Sequence, residues 1–136
     1  MPILKRPERI RELPAFRGLS DAEMNKIAAA GTVVTVPARW SMILEGSPPD
    51  EAYLILDGQV VVRRQGEQVA ELQPGDIVGE ISLHERILRT ATVTALTPLE
   101  LLHLGRDAFT RLYESVPAFR DAVDATVSER LTGSAD

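Results

Sequence analysis

Val78-Gly79-Glu80-Ile81-Ser82-Leu83-His84-Glu85-Arg86-Ile87-Leu88-Arg89-Thr90-Ala91-Thr92-Val93 interrupts a long run of β-type sequence, and its reading decides the fold. Glu80 to Leu83 can form one helical turn opening just after Gly79. A helix start presents backbone N–H groups that lack intrahelical partners, and an adjacent glycine lets a ligand approach the backbone closely. That combination suits a phosphate. Arg89 then enters the next strand, where its guanidinium can grip two phosphate oxygens at once. Glu80 can accept a hydrogen bond from a sugar hydroxyl. Taken alone, the two side chains are equally an ion pair between neighbouring segments.

Outward from this stretch the chain reads as short strands. Thr32 to Val36 is β-branched, Met42 to Leu44 is apolar, and Ala52 to Leu56 has the pattern of a buried strand. Asp57-Gly58 is the strongest hairpin signal, because both residues tolerate positive φ. Val60, Val61 and Val62 follow, then a turn at Gln65-Gly66, a strand at Val69 to Leu72, and a turn at Pro74-Gly75 before Ile77 and Val78. Thr90 to Leu96 and Leu99 to Leu104 are two further strands, parted at Thr97-Pro98. About eight strands at intervals of roughly 8–12 residues predict an antiparallel sandwich or roll.

Helices flank the strands. Ile10, Leu13 and Phe16 make an apolar stripe interrupted at Pro14. Ser20 and Glu23 have the spacing of a capping box, Met24, Ile27 and Ala28 supply a buried face, and Gly31 ends the helix. Phe109, Leu112 and Tyr113 share a face of a helix that stops near Pro117. A last helix runs from about Pro117 to Leu131, with Phe119, Ala122, Val123, Val127 and Leu131 spaced by threes and fours. Its stripe can dock on its own roll or pair with another subunit, giving a homodimer through the C-terminal helix.

Bulk composition narrows the function. The chain's 136 residues are enough for one hydrophobic core. A net charge of −5 argues against direct DNA binding, which rests on Lys and Arg neutralising phosphates, although a local basic pocket stays compatible with it. The absence of cysteine excludes disulfides, Cys-ligated zinc and thiol catalysis. Two histidines, His84 and His103, are too few for a cupin-type metalloenzyme, so neither a metal nor a catalytic residue is expected. Met1 to Arg11 lacks the apolar core of a signal peptide, and no stretch approaches the roughly 20 apolar residues of a membrane helix. The expected location is the cytoplasm.

The opening stretch resembles the phosphate-binding cassette of the cyclic-nucleotide-binding family, which includes the catabolite activator protein, kinase regulatory subunits and nucleotide-gated channels. Gly79-Glu80, Ser82 and Arg89-Thr90-Ala91-Thr92-Val93 carry the likeness, with Glu80 and Arg89 nine apart. Glu45-Gly46, Leu54-Ile55-Leu56-Asp57-Gly58 and Pro74-Gly75-Asp76 fall where the family has structural turns, so the resemblance covers about Leu13 to Leu131. It implies an α+β, mainly β fold: an eight-stranded antiparallel, jelly-roll-like β-roll with N-terminal helices, a short phosphate-cassette helix and C-terminal hinge and lid helices. The single domain would span 1–136, with N-terminal helices at about 8–31, the roll at about 32–105 and C-terminal helices at about 106–131.

The resemblance also implies a non-catalytic sensor of cAMP or cGMP that needs no other cofactor. Arg89 would hold the cyclic phosphate and Glu80 the ribose 2′-hydroxyl, with backbone amides of Ile81, Ser82 and Thr90 beside them. Val62 would pack on the base, and Arg130 would reach it from the lid. In the family a threonine like Thr90 can favour guanine. Three departures stand out: Val78 where an aromatic is usual, Arg39 where a turn glycine is common, and no glycine or proline between His84 and Leu88. With only Thr132 to Asp136 after the last helix, the expectation is a stand-alone sensor acting on an effector protein, or a piece of a channel, kinase or enzyme. The alternative is a β-roll interaction module that binds no nucleotide or binds a cyclic dinucleotide.

Overall fold

The computed structural model describes residues 10, 13, 16–48, 50–79 and 91–124. Among them eight strands form two four-stranded antiparallel sheets. One runs in the order β1 (Thr32–Val36), β8 (Leu99–Gly105), β3 (Glu51–Asp57), β6 (Ile77–Val78). The other runs β2 (Ser41–Ile43), β7 (Thr92–Ala95), β4 (Val60–Arg64), β5 (Glu67–Leu72). Apart from the β4–β5 pair, each strand lies in the opposite sheet from its predecessor, which is the wiring of a jelly roll. This is the antiparallel roll that the strand spacing predicts.

The central strands β3 and β8 explain their own unusual composition. Alternate side chains of a strand point to opposite faces. Ala52, Leu54 and Leu56 of β3, with Leu102 and Leu104 of β8, join the core shared with the helices. Tyr53 and Ile55, with Leu99 and Leu101, join the core inside the roll. Both strands are therefore covered on both faces, and each reads as a nearly continuous apolar run. Each fully buried Leu or Ile contributes about 1.5–3 kcal/mol relative to an exposed one. Their register, Ala52↔Leu104 to Ile55↔Leu101, holds the two cores back to back.

Two turns exchange roles relative to the sequence reading. Asp57-Gly58 does not close a hairpin: β3 pairs with β8 and β6, whereas β4 pairs with β5 and β7. Gly58 has φ +96, but Asp57 stays in extended strand, so the pair carries the chain from one sheet to the other. A Cβ on Gly58 would lie 2.4 Å from the Pro98 carbonyl oxygen, so close approach as well as φ demands glycine there. The tight hairpin is instead at Gln65-Gly66, where φ is +53 and +83, the signs of a type I′ turn, with Arg64 opposite Glu67. Arg39 has φ +73, a left-handed conformation that costs a non-glycine residue roughly 1–2 kcal/mol.

The capping box forms as read. Glu23 N–H donates to Ser20 Oγ at 3.1 Å and Ser20 N–H donates to Glu23 Oε1 at 3.1 Å, starting α1 (Asp21–Ala30). Gly31 ends that helix in extended rather than left-handed conformation. Its lack of a side chain serves packing, since a Cβ would sit 2.4 Å from the His103 carbonyl oxygen. Helix α2 (Arg106–Ser115) stops where Pro117 forces Val116 out of helical conformation, to φ −121 and ψ 100.

A third helix, α3, follows and is described over 117–124. Phe119 and Val123 bury fully in the core that includes Phe109 and Leu112 of α2, and the Phe109 and Phe119 rings meet edge to face at 5.6 Å. The described part of the last helix thus docks on its own domain; Val127 and Leu131 lie outside the described residues. Tyr113 Oη donates to Asp124 Oδ1 at 2.5 Å, tying α2 to α3. That hydrogen bond, then burial and the Asp124 charge, push the phenol above its ordinary value of 10.0, against a smaller opposing pull from Arg120.

Gly58→Ala should destabilise the domain by at least about 1–3 kcal/mol, read as a lower denaturant midpoint at unchanged slope. An unchanged midpoint would mean that the crossover is slack. For the α2–α3 tie the sign follows from the raised phenol. Its stabilising contribution is complete below pH 10.0 and is lost as pH rises through the higher folded-state value. Tyr113→Phe should therefore cost about 0.5 kcal/mol at neutral pH, the low end for a solvent-open contact, and the difference should vanish in strong alkali. The difference between the tyrosinate absorbance titrations of the two proteins should place the Tyr113 phenol above the ordinary tyrosine value of 10.0.

Candidate functional site

The strand that leads to the expected cassette starts from a hydrogen-bonded turn. Asp76 N–H donates to the Gln73 carbonyl at 3.0 Å, Gln73 N–H donates to Asp76 Oδ2 at 2.9 Å, and Gly75 takes φ +97. The turn is stitched to β3, since Ile55 N–H donates to the Asp76 carbonyl at 3.0 Å and Gly75 N–H to the Ile55 carbonyl at 2.9 Å. It delivers β6 with Leu54↔Ile77 and Tyr53↔Val78 in register. Ile77 enters the helix-side core and Val78 the inner core. Gly79 follows with φ +87, a conformation that glycine adopts without a Cβ penalty.

The chain re-enters at the buried Ala91 and runs into β7 in the opposite sheet. The segment between Gly79 and Ala91 therefore joins the edge strand of one sheet to an interior strand of the other. Val62 sits opposite both Val93 of β7 and Ala70 of β5, so its side chain shares their face. It is half-buried against the inner core that also contains Val78 and Val93. Val62 and the strand leading to Gly79 thus pack on the same inner core. Glu80, Ile81, Ser82, Arg89, Thr90 and Arg130, and the helical turn expected at Glu80 to Leu83, lie outside the described residues.

One contributor was not legible as such in the sequence. Glu45 Oε1 accepts the Gln65 N–H at 2.9 Å, and Glu45 N–H donates to Thr92 Oγ1 at 3.0 Å. One residue thereby clamps the β4–β5 hairpin to the start of β7, where the cassette ends. Its partners lie 20 and 47 positions away, so spacing along the chain could not single it out. Among the histidines, His103 of β8 meets Tyr53 edge-on at 5.4 Å, a packing role, while His84 lies outside the described residues. No described helix is long and apolar enough to cross a membrane.

With this geometry in view, the likeness to known proteins is specific. Residues 33–116 match the cyclic nucleotide-binding domain family. The cAMP-dependent protein kinase regulatory subunit of Yarrowia lipolytica is 40% identical over 105 residues, 76% of this chain and 28% of that protein. The chain spans about a quarter of the length of the curated kinase regulatory subunits it matches. A solved structure described as Sp-2Cl-cAMPS bound to PKAR CBD2 superposes with TM-score 0.81 over 98% of this chain and 92% of its own; at 20% identity that likeness is one of fold. The catabolite activator protein of Thermus thermophilus superposes with TM-score 0.76 at 27% identity, over 89% of this chain and 59% of its own. The jelly-roll wiring thus has known counterparts, and the chain belongs to the cyclic nucleotide-binding domain family.

Proposed function

We propose that this chain is a non-catalytic cyclic-nucleotide sensor, one domain over 1–136, that couples ligand binding to its C-terminal helices and through them to an effector protein. The observation that carries the reading is the conjunction of family membership with an intact Gly79-Glu80 to Arg89-Thr90 set, entered through the positive-φ Gly79. Arg89 grips the cyclic phosphate, while Glu80 accepts the ribose 2′-hydroxyl and the amides of Ile81, Ser82 and Thr90 complete the anion cradle. Val62 packs on the base and Arg130 reaches it from the closing helix. cAMP is the first ligand to try, because the Yarrowia relative is named for dependence on it; Thr90 makes cGMP the second.

Ligand contacts made only with the last helix closed would favour that state, and a ligand binding both states equally would shift nothing. The Tyr113–Asp124 contact is one bond such a movement would have to break or carry with it.

Removing one partner of a desolvated charge pair costs roughly 2–5 kcal/mol, about thirty-fold to several-thousand-fold in affinity. Titration calorimetry should therefore find Arg89→Ala without micromolar binding and Glu80→Ala weakened less. Glu45→Ala should lose affinity while keeping most of its stability, because the clamp orders the strand ends rather than the core. Wild-type affinity in Arg89→Ala would overturn the assignment. A wild-type chain stabilised by a cyclic dinucleotide, or by no nucleotide, in a thermal-shift screen would turn the reading to an interaction module.

A further inference from the structure

At the end of the roll where β1 turns into β2, a projecting apolar knob stands beside a groove. Trp40, the chain's only tryptophan, is 63% exposed, and Leu96 is 41% exposed. Backbone bonds tie down the segments that carry them. Ala95 N–H donates to the Trp40 carbonyl at 2.9 Å, Arg39 N–H to the Ala95 carbonyl at 2.7 Å, and Leu96 N–H to the Gln59 carbonyl at 2.9 Å. Trp40 N–H closes the turn on the Pro37 carbonyl at 3.3 Å. The backbone that presents Trp40 is therefore fixed on both sides. Arg39 projects from it, exposed, at φ +73, a conformation that glycine would adopt without strain.

An outlier of this kind points towards function. Replacing Arg39 by glycine would ease the backbone and forfeit the guanidinium, and Arg and Trp are the residues over-represented where protein interfaces concentrate their binding energy. The groove begins at the same turn. It has a volume of about 400 Å³ and is lined by Val36, Pro37, Pro98 and Leu99, with Asp57 and Glu100 on its wall. Those two acids stand opposite each other in the β3–β8 register, so their side chains share a face.

We propose that this end of the roll is a self-complementary interface, on which two copies of the chain associate about a two-fold axis. Each copy inserts Trp40 into the other's groove and sets Arg39 against the other's Asp57 and Glu100. A two-fold contact requires one patch to carry both halves of the match. Here the apolar knob with its cation and the apolar groove with its anions are neighbours on one surface. The contact is separate from the C-terminal helix, whose described face is already buried on its own domain.

Because Trp40 is the sole tryptophan, the intact chain reports on its own association. In sedimentation equilibrium the wild type should form dimers as concentration rises, with indole emission shifting to the blue and acrylamide quenching falling in step. Trp40→Ser should weaken association about thirty-fold or more, the loss expected at a central interface residue, with an unchanged circular dichroism spectrum and melting cooperativity. Arg39→Glu should weaken it too, and adding Glu100→Arg to that variant should restore it. A chain that stays monomeric with dilution-independent emission would overturn the proposal. So would a dimer that survives both Trp40→Ser and Arg39→Glu, or one whose formation leaves Trp40 emission unmoved, as association through the C-terminal helix would.

Discussion

Two-sided burial of the β3–β8 pair is the constraint on which the rest of this domain depends. A jelly roll needs only one apolar face per sheet, but here the outer face of β3 and β8 is also the floor for the helices. Ala52, Leu54, Leu56, Leu102 and Leu104 meet Ile27, Phe109, Leu112 and Phe119 there, while Tyr53, Ile55, Leu99 and Leu101 fill the roll. A register slip of one residue would exchange the two faces of a strand. Because both faces are buried and shaped to different neighbours, a slip would unpack two cores at once. Gly31, pressed against the His103 carbonyl and Leu102, fixes how closely α1 can end over the same sheet.

That arrangement sets the distance over which a ligand would have to act. Ile77 and Val78 are consecutive, yet Ile77 packs in the helix-side core and Val78 in the inner core beside Val62. The next residue is Gly79, the entrance to the cassette. An adjustment of β6 is therefore felt on both sides of the sheet within one residue. Spatial continuity alone is not coupling; that requires an element with two arrangements biased by the ligand. The α2–α3 joint has the features of such an element, with Pro117 as its break and the solvent-open Tyr113–Asp124 bond as its strap, whereas Phe119 and Val123 anchor it apolarly.

The sequence was informative where a signal is local and ambiguous where it must choose a partner. Ser20 and Glu23 announce a helix start because both bonds of the capping box close within one turn. Thr32 to Val36 and Ala52 to Leu56 fall inside strands β1 and β3 because β-branched and apolar runs need little context. Asp57-Gly58 misled because its φ preference is the same whether the chain doubles back or changes sheets; the Pro98 carbonyl against Gly58 decides it. Gln65-Gly66, with a less typical first residue, makes the I′ hairpin because β4 and β5 share a sheet and Glu45 receives the Gln65 amide. Of the candidate site, the Gly79-Glu80 to Arg89-Thr90 pattern is a local sequence signal whose residues from Glu80 onward lie outside the described ones, whereas the Glu45 clamp exists only once hairpin and β7 are brought together.

Charge sharpens what kind of recognition the proposed site must use. The chain carries net −5 and the proposed ligand is an anion, so the long-range field works against encounter. At physiological ionic strength that field fades over about 8 Å, which leaves binding to groups in direct contact. Backbone amides and a single guanidinium are well suited to this, because they act at short range, are directional, and need no more than one unit of positive charge. In the proposed reading, an acidic chain with one cationic contact also discriminates against polyanions. A nucleic acid would bring many phosphates against the acidic exterior for each one it could seat, whereas a cyclic mononucleotide brings only the one. The negative balance that argues against DNA binding is, for a sensor of small anions, a source of selectivity.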